Sequence, residues 1–358
     1  MMRNYWQRYA VRVSIALITF ASGIAIATFA FTLRQPQVKR PPCPQVEVKQ
    51  QAERVSPPPV VYQPREKPKS MSPYDLWIYI DRNADHPDLQ SIWRELGIKA
   101  ELLKTCANCE AQLFDVELDG QPGREVLLRV TGWGEECRYL VFNQAGDPRK
   151  NSGWKLVGHI DSDFGRYRMP EHSILVGAGR SWLIINFQGA SGSGVALFFN
   201  RVFEVTKTRI RDVLSFTSDG HQSDPVSDTG VTDRDFYADI INMERRGATE
   251  FMEIRFAASY YNDAGIMWGH NRKAVFVKGA KSKRFILNNS MSELSEHEID
   301  AVFHIDSLSN EDLLRYNYAD LIRIGTGKNA KQREWLRHFI NLCEASPEKR
   351  NLAKLLRK

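Results

Sequence analysis

The chain has 358 residues, of which 42% are hydrophobic, and carries 49 Lys and Arg against 43 Asp and Glu. About 285 residues remain beyond the N-terminal segments, enough to bury a core, which excludes a disordered chain and a small scaffold dependent on disulfides. The excess positive charge is local: residues 323–358 hold ten Lys and Arg against three Glu, so the rest is close to neutral, and a solvated helix face is expected there in place of nucleic-acid binding.

Residues 1–12 form a short tail with Arg3, Arg8 and Arg12, and Val13–Leu33 follows without a single charge. A spanning helix needs roughly 20 apolar residues, so 13–33 is expected to be a transmembrane anchor, with residues 1–12 cytoplasmic and the bulk periplasmic or extracellular. Ala25-Ile26-Ala27 has the small-x-small pattern of a processing site, and cleavage there would give a secreted protein. Residues 34–72 are the linker: ten of the sixteen prolines fall between Pro36 and Pro73, a density that favours extended polyproline II. Such a spacer reaches up to roughly 100 Å when fully extended.

Residues 73–290 read as a mostly β exported domain. Asp85-His86-Pro87 is expected to open a helix, with Asp85 as its cap and Leu89, Ile92, Trp93 and Leu96 on its buried face up to Gly97. Thirteen short segments between Gln112 and Asn288 are rich in Val, Ile, Phe, Tyr and Trp and are separated by Gly, Asp, Asn and Ser. None alternates with a long helical pattern, so the fold class is mainly β, built of antiparallel meanders, propeller-like or sandwich-like. Two hairpin-like stretches, from Val126 to Asn143 and from Trp182 to Asn200, each run strand, glycine turn, strand and end in Phe-Asn. Ser218–Asp235 reads as a long acidic loop carrying Asp219, His221, Asp224, Asp228, Asp233 and Asp235. Residues 291–358 turn helical and basic. Ser295 to Glu298 is a capping box, and Trp335, Leu336, Phe339, Ile340 and Cys343 share one helix face that should dock on the β domain.

The five cysteines are Cys43, Cys106, Cys109, Cys137 and Cys343. Outside the cytoplasm a disulfide among Cys106, Cys109 and Cys137 is expected, and Cys343 falls on a core-facing helix position. His159-Ile-Asp161-Ser-Asp163, with His172 nearby, offers metal ligands or an acid/base pair, since alternating residues of a strand point the same way, and His221 in the acidic loop is a further acid/base candidate. Gly189 to Gly194 lacks the glycine offsets of a nucleophile elbow and reads as a hairpin turn.

The most motif-like stretch runs Asp115-Val-Glu117-Leu-Asp119-Gly120-Gln-Pro-Gly123-Arg-Glu125 and leads into an apolar strand. Oxygen ligands at alternating positions before a glycine suit a Ca²⁺ loop, with Asp115, Glu117, Asp119 and Glu125 as the ligand set. The stretch resembles the acidic loops of FG-GAP and VCBS-type β-propeller repeats over about fifteen residues, once, with Glu117 as second ligand and two extra residues before Glu125. The resemblance implies calcium binding and a surface presented to a protein or glycan partner. The sequence thus predicts a membrane-anchored binding or scaffolding module of the cell envelope, stabilised by calcium. Its alternatives are an envelope hydrolase using the Asp and His residues, which would have to gather them in one pocket, and a structural tether.

Overall fold

The computed structural model describes residues 70–357 apart from 100–102, 104–107, 120–123, 133–135, 146–151, 164–169, 227–228, 263–264 and 304–307. Val13–Leu33 lies outside the described residues; among the described residues no helix is long and apolar enough to cross a membrane. Lys67–Lys358 form one compact unit.

Two helices come first. In α1 (Pro73–Arg82) the Ser72 hydroxyl accepts the Asp75 amide at 3.1 Å and Pro73 takes the first helical position, where a missing N–H costs nothing. The cap of α2 (Leu89–Glu95) is Asp88, which accepts from the Ser91 amide, and not the expected Asp85. The reason is Pro87, which disfavours helical geometry at His86 and delays the start. Gly97 ends the helix at φ +71°, with its amide bonded to Arg94 and that of Ile98 to Trp93.

Two antiparallel sheets follow, each a pure meander. The first holds β1 (Glu110–Val116), β2 (Arg124–Thr131), β3 (Glu136–Gln144) and β4 (Trp154–Asp163) in chain order. The second holds β5 (Glu171–Gly177), β6 (Arg180–Gly192), β7 (Val195–Thr206), β8 (Arg209–Val226), β9 (Val231–Arg246), β10 (Thr249–Asn262), β11 (Gly265–Lys278) and β12 (Ile286–Leu287), also in chain order. The mainly β, antiparallel meander class expected from the sequence is therefore present. One expectation is corrected: Ser218–Asp235 is not a long loop, because most of it lies in β8 and β9, which pair from Asp219↔Tyr237 to Val226↔Val231.

Consecutive residues of β2 and β3 bury opposite faces. Leu128, Val130, Leu140 and Phe142 pack under Leu76, Ile80, Leu89 and Trp93 of the two helices. Leu127, Tyr139 and Val141 pack on Leu183, Ile185 and Phe203 of the second sheet. The opposite face of the second sheet meets the C-terminal helices α3 (Glu296–Val302), α4 (Asn310–Tyr316), α5 (Tyr318–Thr326), α6 (Ala330–Leu342) and α7 (Pro347–Leu356). The layers run helix, sheet, sheet, helix. The Ser295 hydroxyl caps α3 as expected, and the Trp335 indole donates to the Thr229 carbonyl at 2.6 Å, docking α6 on the β8–β9 turn.

The second sheet curls on itself. Arg180 at the start of β6 bonds both Glu204 of β7 and Glu250 of β10, and Lys278 of β11 bonds Glu250 at 3.0 Å. These charges sit over the Trp182 ring, with the Arg180 guanidinium 4.2 Å from its centroid.

Candidate functional site

The second sheet forks. β8 pairs with β7 from Arg209 to Gln222 but with β9 only from Asp219 onward, and β9 continues on β10 alone beyond Tyr237. Along Asp212–Ser218 one edge of β8 therefore has no strand beside it among the described residues. Among the described residues one backbone bond crosses the gap, from the Phe285 amide to the Val213 carbonyl at 2.9 Å. The fork has local causes. Register shifts fall in β8 opposite Phe198/Phe199 and Val202/Phe203, and bulges bend and twist the strand that carries them. Gly220 faces Phe236 directly, and a Cβ there would lie 2.2 Å from the ring, so only glycine lets the ring lie across β8 at the point of divergence.

The fork opens into a groove of about 570 Å³ between β8, the β12 region and α3. Its lining is aromatic and aliphatic, including Phe199, Phe216, Phe276, Phe285, Ile299 and Phe303, with Arg284, Glu296 and Asp300 supplying charge. Ile286 stands 66% exposed beside it. An apolar trough along an unpaired strand edge offers side-chain pockets and main-chain hydrogen-bonding groups together.

A second arrangement lies beyond the fork. His221 is opposite Asp235, and Ser223 is opposite Asp233, so the four side chains share one sheet face. His221 Nδ1 is 2.7 Å from Asp235 Oδ1, Ser223 Oγ is 3.4 Å from His221 Nε2, and Ser223 Oγ donates to Asp233 Oδ1 at 3.1 Å. Asp233 Oδ1 also stands 3.7 Å from His221 Nε2. Between them, on the opposite face, Arg234 is fully buried and donates to Gln222 and to the Ala301 and Val302 carbonyls of α3. Sequence reasoning grouped His221 with Asp233 and Asp235 in one acidic stretch but missed Ser223. The signal was present as two period-two pairs, His221-x-Ser223 and Asp233-x-Asp235, at the two ends of a short turn.

The other expected acid/base residues are elsewhere. His159 and Asp161 lie on β4, 3.6 Å apart, beside a small cavity of about 250 Å³ that also holds Arg201 and Asp212. Asp161 is held by Arg138 through Nε at 2.5 Å and Nη2 at 3.1 Å, and that guanidinium stacks on Trp93. Burial pulls the His159 pKa below its ordinary value, against the Asp161 charge, which raises it. Asp163 ends β4, and its side chain is outside the described residues. His172 packs edge-on against Phe114, with ring centroids 4.3 Å apart. His221 is not among the described residues that line the cavity at His159.

Two of the four acidic-loop carboxylates, Asp115 and Glu125, are engaged within the protein. Asp115 accepts from Arg124 at 2.9 Å, and Glu125 accepts the Leu118 and Asp119 amides from inside the loop. Burial raises the Glu125 pKa, an effect those two amides oppose. Glu117 is exposed, and Gly120 to Gly123 fall outside the described residues. Among the described residues no group of three or more His, Cys, Asp or Glu could hold a metal ion. Cys109 is disulfide-bonded. Cys137 is a buried free thiol, which removes it from the expected disulfide set because it faces the core between the two sheets. Cys106 lies outside the described residues, and Cys343 is buried and free as its helix position implied.

Comparison with protein families, with curated proteins and with solved structures finds no match for this chain.

Proposed function

We propose that the chain is a membrane-anchored, exported binding module that takes an extended segment of a partner protein into the groove beside β8, by strand addition. The observation that carries this reading is the edge of β8 along Asp212–Ser218, which among the described residues has no strand beside it and only the Phe285 amide bonded to it, flanked by an apolar groove. An open edge recruits a strand through main-chain bonds that depend little on side chains, while the aromatic lining selects apolar residues at alternate positions. A glycan has no row of alternating amides and carbonyls to offer that edge, so a protein partner fits better. The anchor at 13–33 and the proline-rich spacer would present the module away from the membrane. In this reading the stacked meanders are a sandwich-like support whose second sheet holds the fork open.

The test is fluorescence anisotropy of labelled ten-residue peptides with Val or Thr at alternate positions, titrated with the full chain in detergent. Saturable binding is expected, and Ser215→Pro should abolish it because proline cannot present an amide and distorts the edge. Binding that is unsaturable, or that survives both Ser215→Pro and Ile286→Asp, would overturn the proposal.

A further inference from the structure

We propose that Ser223, His221 and Asp235 form a nucleophile array able to transfer and hydrolyse activated acyl esters, an activity separate from the groove. Covalent catalysis by serine requires three relations: a hydroxyl within reach of a base, a base lone pair aimed at it, and a third group fixing the base. Asp235 at 2.7 Å from Nδ1 accepts the Nδ1–H bond, which leaves the Nε2 lone pair on the side of Ser223 Oγ at 3.4 Å. That length is loose, as resting-state catalytic bonds often are before substrate tightens them. The backbone is fixed from both sides: the Ser223 amide donates to the Gly194 carbonyl at 2.7 Å, and Arg234 ties the adjacent strand to α3. Ser223 is exposed, so a reagent reaches it without a channel.

The chemistry balances without a cofactor. Ser223 Oγ bonds to the ester carbonyl carbon while its proton passes to His221 Nε2. The tetrahedral adduct collapses, the carbon–oxygen bond to the alcohol breaks, and the leaving oxygen takes the Nε2 proton. Water then repeats the sequence and releases the acid. Asp235 is the positioning residue. Asp233 accepts the resting Ser223 hydroxyl at 3.1 Å and must release it before attack, so it restrains the array. Also facing His221 are Ala196 on β7 and, beside Asp235, Ser259 on β10; Asp219 and Tyr237 follow one rung along. Losing an oxyanion-hole donor typically costs about 10²–10³ in rate, so an open sheet surface suits activated esters and phosphonylating reagents in preference to amides.

The experiment treats the full chain in detergent with a fluorophosphonate at mildly alkaline pH and reads intact mass. The Oγ–phosphorus bond forms, fluoride leaves and the proton goes to His221. One adduct is expected, mapping to Ser223. It should be lost in Ser223→Ala, slowed by at least about tenfold in His221→Gln, and retained or faster in Asp233→Asn. In Asp235→Asn the acid limb of the labelling rate should move to lower pH, which a purely structural loss would not do. The absence of an adduct on the folded protein, an adduct that survives Ser223→Ala, or a rate unchanged in His221→Gln would overturn the proposal. Labelling is read without peptide and peptide binding without the fluorophosphonate, so failure of the groove reading and failure of this one are distinguishable.

Discussion

Glu125 and Cys137 show what single side chains contribute. The Glu125 carboxylate braces the Leu118 and Asp119 amides, yet burial raises its pKa, so its charged form costs stability in the folded state. A raised folded pKa means that the protein is relieved of this cost as pH falls below the ordinary carboxylate range. Glu125→Gln keeps an acceptor for the amides without the charge. Thermal melts should therefore show the variant at or above wild type at neutral pH, with any advantage vanishing in acid. Arg124 competes with calcium for Asp115 Oδ1, and a melt with millimolar calcium against chelator should show no shift. A rise abolished in Asp119→Ala would instead assign a cation to the loop. Burial pushes the Cys137 thiol up to about 12, so a thiol reagent should modify it only on unfolding, as peptide mapping would show. The cysteine residues were visible in the sequence, but the side of the strand each one faces was not. Cys137 sits in a strand whose two faces are both buried, where the polar–apolar alternation that normally assigns sides is absent.

At the scale of elements, the fork in the second sheet depends on Gly220. Gly220→Ala would force its Cβ into the Phe236 ring and should cost about 1–3 kcal/mol, read as a lower denaturant midpoint. Strands rich in Val, Ile and aromatic residues were legible, as were the α3 cap at Ser295 and the docking stripe around Trp335. The hairpin containing His221 was not, because its outward face carries Asp, His and Ser throughout and so resembles a loop. What makes it a strand pair is the opposite face, where buried Arg234 donates to Gln222 and to the α3 carbonyls, a contact that no local pattern announces. A local effect hid the start of α2, where Pro87 moved the cap from Asp85 to Asp88.

Over the whole molecule, a curled sheet between helices and a second sheet is held together partly by charge. Burial alone would raise the pKa of Glu204, but Arg180 and Lys278, then Arg211, hold it below its ordinary value. A depressed carboxylate contributes stability above the ordinary carboxylate range and loses it as pH falls through the folded pKa. Glu204→Gln should therefore destabilise the protein at neutral pH by about 3 kcal/mol, since it strips one partner from a buried network. The difference from wild type should close in acid, the opposite of the Glu125 case. The layer order was beyond reach of the sequence, since meanders of similar strands can stack in several ways.

Hydrogen exchange on the full chain, with and without a saturating Val/Thr peptide, tests the central claim most directly. Amides within Asp212–Ser218 should exchange faster than those of 219–226 in the free protein, and the peptide should slow them selectively. Equal protection across β8 before addition, or slowing confined to other strands after it, would contradict the account.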